Sequence, residues 1–171
     1  MLSKGNPRSI ILWWPPGVGK TTLSKKLSTY LKAAYLRIDT IEQTLKDTCN
    51  IKVEGEGYDL AYKIAEDNLL LGNSVVSDSC NPINLTRNAW KEIAKNTNSN
   101  FKDIEVICSN LDAHKKRAEE RLSNIKNLIL PTWEQIKNRG YDIWETDRII
   151  IDTYNKSIDD TFEQLKNLLG V

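Results

Sequence analysis

The chain has 171 residues, enough for one domain with a buried core around a central sheet. Its 24 basic and 23 acidic residues leave a formal net charge of +1, which excludes a global field recruiting nucleic acid or membrane, so a bound anion has to be held locally. Three cysteines, Cys49, Cys80 and Cys108, stand far apart with no C-x-x-C spacing, the pattern of reduced thiols in a cytoplasmic protein and not of a disulfide framework or a zinc site.

Residues 1–7 are a polar lead-in, and Arg8 to Trp14 read as a first strand, apolar almost throughout as a strand covered on both faces should be. Pro15-Pro16 stop that run, which is too short for a membrane span or a signal-peptide core. The loop then runs through Gly17, Val18 and Gly19 to Lys20-Thr21-Thr22 at the start of a helix carrying Leu23, Leu27, Tyr30 and Leu31 on one face. Such a turn is a phosphate cradle. Glycines let successive N–H groups point inward, the helix N-terminus favours an anion, Lys20 reaches the outer phosphates and Thr21 offers a hydroxyl to Mg²⁺.

Ala33 to Ile38 predict a second strand ending at Asp39-Thr40, followed by a short helix over 41–48 and a polar loop over 50–57. Tyr58, Ala61, Tyr62, Ala65 and Leu69 place a helix before the stop at Gly72-Asn73. Ser74 to Ser77 predict a third strand with Asp78 at its end, and Leu85, Ala89 and Ile93 a helix. Ile104 to Cys108 form strand four, and a helix from Leu111 carries Ala118, Leu122 and Ile125 on one face. Thr132-x-x-Gln135 is a capping box for a helix to about Arg139, Arg148 to Ile151 the last strand, and Ser157 the cap of a terminal helix. Strands and helices alternate, so the expected fold is α/β: a three-layer sandwich around a five-stranded parallel sheet, in a single domain over 1–171.

In a parallel sheet the site lies beyond the carboxyl ends of the strands, which singles out Lys20, Thr21, Asp39, Asp78, Ser109 and Asp152. The loop resembles the Walker A loop of P-loop proteins, G-x-x-x-x-G-K-[ST], with one departure: Trp14 stands where the first glycine is expected. With Leu36-Arg37-Ile38-Asp39-Thr40 and Val75-Val76-Ser77-Asp78-Ser79-Cys80-Asn81, the chain from Arg8 to about Leu168 resembles small P-loop kinases. These are the polynucleotide kinase, chloramphenicol phosphotransferase, zeta toxin and gluconate kinase group, with bacterial AAA-family ATPases that share their core.

That resemblance implies ATP and Mg²⁺ as cofactors, with Pro16, Gly17, Val18, Gly19, Lys20, Thr21 and Thr22 holding the nucleotide. It implies Asp39 as the residue that takes the acceptor's hydroxyl proton, and Thr21 with Asp78 at the metal, Asp78 alternatively at the acceptor. The third strand is expected beside the first and the second outermost. Within His114-Lys115-Lys116-Arg117-Ala118-Glu119-Glu120-Arg121, the like charges Arg117 and Arg121 at i,i+4 repel unless an anion lies between them. The resemblance makes them lid arginines in a helical segment around 111–127, acting on the transferring phosphate. Against this, Lys115–Glu119 and Lys116–Glu120 are the opposite-charge pairs of a solvated helix face.

Arg87 and Arg139 are weaker candidates for substrate contact, and His114, the one histidine, reads as a surface residue. The five tryptophans read as packing residues, although Trp133 and Trp144, with Tyr141, flank the last strand where the resemblance places adenine. The expected activity is transfer of the γ-phosphate of ATP to a hydroxyl of a small molecule, a nucleotide or a 5′ nucleic-acid end. The near-neutral composition disfavours an extended nucleic-acid groove. A nucleotide-binding switch or a degenerate, non-catalytic P-loop module is the alternative, which an indole at position 14 crowding the phosphates would favour. The expected setting is a cytoplasmic monomer or dimer with no membrane contact.

Overall fold

The computed structural model describes residues 7–13, 16–144 and 146–171. Trp14, on which the departure from the loop pattern turns, lies outside the described residues, as do Pro15 and residues 1–6 of the lead-in. The elements run β1 (Arg8–Trp13), α1 (Lys20–Leu31), β2 (Ala34–Arg37), α2 (Ile38–Cys49), α3 (Glu56–Leu70) and β3 (Val75–Ser79). They continue with α4 (Asn84–Asn96), β4 (Asn100–Ile107), α5 (Leu111–Glu120), α6 (Trp133–Lys137), β5 (Ile149–Asp152) and α7 (Ile158–Leu169).

Among the described residues, five strands form one sheet in the order β2-β3-β1-β4-β5, and all four pairings are parallel. The third strand thus lies beside the first, with the second at the edge. Period-two alternation splits the strand side chains between two cores. Ile10, Val76, Ile104, Val106 and Ile151 pack with Leu23 and Leu27 of α1 and Phe162 and Leu165 of α7. Ile11, Leu36 and Val75 face Ala61, Ala65 and Leu69 of α3 and Trp90 of α4. Burying an aliphatic side chain of this size stabilises by roughly 1.5–3 kcal/mol. Leu23 and Leu27, both fully buried, therefore fix α1 against the sheet without help from its first turn, which stays open to serve the loop.

Several boundaries differ from the expectation: β4 opens at Asn100, four residues ahead of Ile104, and three others bear on the site. Ile38 does not prolong β2; it is the first residue of α2, buried at 3% exposure, so the strand enters the helix without a loop and Asp39 falls in the first helical turn. Asp78 lies within β3, not after it. The helix from Leu111 ends at Glu120: Arg121 takes extended geometry, φ −67 and ψ 143, and Leu122 is 94% exposed. Beyond it the Ser123 hydroxyl accepts from the Ile125 amide at 3.0 Å, a local bond that replaces a helical one. The capping box at Thr132 and the Ser157 cap form as expected.

Candidate functional site

The loop between β1 and α1 owes its shape to two glycines. Gly17 (φ 97) and Gly19 (φ 95) occupy backbone that an L-residue enters only under strain. Gly17 is also pressed against α5: a Cβ there would lie 2.9 Å from Cα and Cβ of Ala118. Gly19 caps α1 with no side-chain bond to the first-turn amides, which leaves those N–H groups to a ligand. Thr21 is partly exposed and Thr22 exposed on that turn.

Lys20 is 7% exposed, and its ammonium is ion-paired with Asp78. Burial pulls the Lys20 pKa below its ordinary value, with Cys80 and Asp39 nearby acting the other way. A cation this deep needs a partner, and Asp78 supplies it. Asp78, 1% exposed, is the Cα partner of Leu12 on β1 and of Arg37 on β2. Its second oxygen accepts from the Tyr35 hydroxyl at 2.8 Å and lies 3.9 Å from Arg37 Nε. Burial pushes the Tyr35 phenol up to about 12, against the opposing pull of Arg37, so it stays a donor.

Asp39 differs from Asp78 in every respect. It is half-buried in the first turn of α2, whose N-cap is Arg37, and its carboxylate makes no hydrogen bond or ion pair among the described residues. It is not a helix cap. Arg37 and Cys80, to which the sequence motifs gave no role, both join it at the cavity. A signal for Arg37 existed, since it ends a strand on the side where the loop lies.

One face of α5 braces the loop. His114 is 6% exposed, not a surface residue: its Nε2 lies 2.9 Å from the Pro16 carbonyl oxygen and its ring meets Trp133 edge-on at 5.0 Å. Arg117 donates to Oγ1 of Thr153 at 3.0 Å and to its carbonyl at 3.3 Å. The Thr153 hydroxyl in turn lies 2.9 Å from the Val18 carbonyl. Arg121, just past α5, is half-buried with its Nε unbonded among the described residues. Burial lowers the Arg121 pKa, with Asp39 the first of the groups opposing it. Asp152 clips the ends of β4 and β5 together, accepting from the amides of Ser109 and Tyr154, each at 3.0 Å.

Arg87 stands apart from this group. Its guanidinium, 2% exposed as a residue, donates to the carbonyls of Asn81, Pro82 and Asp142 and lies over the rings of Tyr141 and Trp144 at 4.7 and 4.2 Å. It ties the start of α4 to the segment before β5. Trp144 and Trp133 are thereby occupied in packing, on Arg87 and His114, and neither lines the cavity at the loop.

Two adjoining cavities share Asp39 and Cys80 as wall residues. The first, about 560 Å³, is lined by the loop from Pro16 to Thr22 and by Lys25, Arg37, Arg117, Arg121 and Lys156, with Asp39 its one carboxylate among the described residues. Its cations and the open N-terminus of α1 suit an anionic ligand. The second, about 660 Å³, lies between α2, α3 and the start of α4, with Arg139 at its rim. The described residues contain no cluster of three or more His, Cys, Asp or Glu that could hold a metal unaided. No described helix is long and apolar enough to cross a membrane.

No family model matches this chain, and no curated protein matches its sequence. Solved structures do. The chain is similar to the APS kinase of Mycobacterium tuberculosis in complex with AMPPNP and APS, with a TM-score of 0.67 and 14% identity over 97% of this chain and 99% of that one. It is similar to Chaetomium thermophilum Kti12 in complex with ADP-AlF3, with a TM-score of 0.69 and 19% identity over 95% and 97%. A gluconokinase from Sinorhizobium meliloti 1021 aligns with a TM-score of 0.60 and 14% identity over 96% and 97%. The fold is that of the P-loop kinases.

Proposed function

We propose that the chain is an ATP-dependent phosphotransferase that moves the γ-phosphate of ATP to an alcohol. The observation that carries this reading is Asp39: a carboxylate with no structural partner among the described residues, on the wall common to a cationic cavity and a second, separate one. A passive nucleotide site has no use for it there.

In this reading the amides of Gly17 to Thr22 and the Lys20 ammonium bind the phosphates, Lys20 exchanging its Asp78 partner for them. Thr21 lines the cavity and would hold Mg²⁺, which ordinarily takes one or two protein oxygens and completes its shell with phosphate and water; Asp78, beneath Lys20 and off the cavity wall, would add an oxygen once Lys20 turns to the phosphates. When bound, that ion neutralises phosphate charge. Asp39 orients the acceptor hydroxyl and receives its proton as the new O–P bond forms and the bond to the ADP oxygen breaks. Arg117, Arg121 and Arg37 supply positive charge to the equatorial oxygens.

Asp39→Asn is expected to leave MgATP affinity within a factor of two or so and to lower turnover by at least ~10²-fold, the usual scale for losing a general base. Asp78→Asn should instead raise the Mg²⁺ requirement. Phosphoryl transfer from γ-labelled ATP, with slow hydrolysis as a proxy, reads both. Unchanged turnover in Asp39→Asn at unchanged affinity would return the site to a nucleotide-binding switch or a non-catalytic module.

A further inference from the structure

The second cavity takes its role as the acceptor site from the kinase reading, but its chemistry is its own. Where the loop cavity is cationic, this one carries Asp39, Glu42, Glu54 and Asp59 against the single cation Arg139 among the described residues. Lys52 neutralises Glu54 at 2.5 Å, whereas Glu42 and Asp59 make no side-chain hydrogen bond or ion pair among the described residues.

Glu42 is placed there by a built contact. It lies three residues after Asp39 on α2, so the two carboxylates share a helix face one turn apart, about 5–6 Å between Cβ atoms. Its stem passes over Gly57 in the first turn of α3, where a Cβ would lie 2.3 Å from Glu42 Cγ. Burial holds the Glu42 carboxyl above its ordinary value, with Lys46 and Arg139 pulling against it and Asp39 and Glu56 adding to it; neither cation comes close enough to form an ion pair among the described residues. The two tyrosines of the wall spend their hydroxyls internally: Tyr58 accepts from the Asn81 amide at 3.2 Å and Tyr62 donates to the Thr86 carbonyl at 3.3 Å. What they present to the cavity is ring surface, which suits the body of an organic cation.

We infer that the acceptor is a small hydroxylated amine, its hydroxyl at Asp39 and its ammonium at Glu42, and not a nucleotide or another phosphorylated alcohol. A phosphate-bearing acceptor would set its charge against three carboxylates, Asp39, Glu42 and Asp59, that no described cation ion-pairs, with Arg139 the one described cation on that wall, while the adjoining cavity carries the cations suited to phosphates.

The test uses the full chain with Mg²⁺ and a non-hydrolysable ATP analogue, and reads binding by saturation-transfer NMR. The probes are ethanolamine and glucosamine, their N-acetylated counterparts, and glucose 6-phosphate. The amines should bind at least ~10-fold more tightly than the N-acetyl compounds, and Glu42→Gln, which keeps size and packing, should remove that preference. Its melting temperature and its affinity for the analogue should stay unchanged. Equal binding of amine and N-acetyl compound, preference for the sugar phosphate, absence of amine binding, or a preference that survives Glu42→Gln overturns the inference. Transfer from γ-labelled ATP is scored separately. An amine that binds through Glu42 yet is never phosphorylated sinks the kinase reading and leaves the amine site standing; transfer to neutral acceptors alone does the reverse.

Discussion

Gly17 and Gly19 offer an internal control for how the loop is held. Both sit near φ 95, so alanine at either pays similar backbone strain, roughly 1–3 kcal/mol. Their surroundings differ: a Cβ at 19 finds only Thr153 Cγ2 at 3.8 Å, ordinary contact, whereas a Cβ at 17 meets Ala118 at 2.9 Å through both its Cβ and its backbone Cα. Helix backbone cannot rotate away as a side chain can, so Gly17→Ala must shift the loop from α5, an overpacking cost of about 1–3 kcal/mol more. Urea unfolding reads the difference as a midpoint gap on the order of 1 M at constant slope, Gly17→Ala being the less stable. Gly17→Ala should also weaken MgATP binding beyond Gly19→Ala if Arg117 moves with α5. Equal midpoints for the two variants would show that α5 does not brace the loop.

Lys20→Ala should abolish MgATP binding but, unlike a change at a solvent-facing phosphate ligand, should also cost about 3–5 kcal/mol, because it strands the buried Asp78 carboxylate. The double variant Lys20→Met/Asp78→Asn should recover most of that stability and none of the binding; a stable single variant, measured by urea melts, would refute the pairing. Asp103 is 6% exposed, its Oδ2 3.7 Å from Lys91 Nζ with no close hydrogen bond among the described residues, and burial raises its pKa from 3.8 to about 6 against the pull of Lys91 and Arg87. A carboxyl raised in the folded state contributes stability below pH 4 that is lost as pH rises through 6. Asp103→Asn should therefore gain about 2–3 kcal/mol on the wild type between pH 4 and 7, and a pH-independent gap in chemical denaturation would contradict it. His114→Phe keeps a ring against Trp133 but loses the link to the Pro16 carbonyl, so KM for MgATP should rise several-fold with kcat little changed; an unaltered KM would free the loop of that link.

The parallel sheet and the cationic loop were legible because each has a local signature, β-branched runs, a Gly-Lys-Thr turn, caps at Thr132 and Ser157; the strand order was reachable only through the resemblance to small P-loop kinases. Asp39 and Asp78 were legible as candidates through their position near strand ends, but not their contrast. That contrast depends on Asp78 pointing beneath Lys20 and on Ile38 burying into a helix, when its apolar character equally continues β2. His114 carried no local sign of burial, since its partners lie 98 positions back and 19 ahead in the chain. Arg87 drew attention for its charge alone, and the carbonyls that fix it come from two segments that only tertiary structure brings together.

His114, Arg117 and Ala118 fall at i, i+3 and i+4, so a single stripe of α5 touches the phosphate loop at Pro16, at Gly17 and, through Thr153, at Val18. A helix held at three successive residues of the loop cannot act as a swinging arm: moving it would pull the cradle apart. If the proposed phosphotransferase closes over its nucleotide, the pivot is expected where the helix ends, at Arg121, whose backbone is already extended, with the segment that follows carrying the movement. In hydrogen-exchange terms α5 should open with the sheet, slowly, and the amides of 121–130 quickly. On that expectation, of the two arginines spaced one turn apart, Arg117 would belong to the rigid floor and Arg121 to the moving edge.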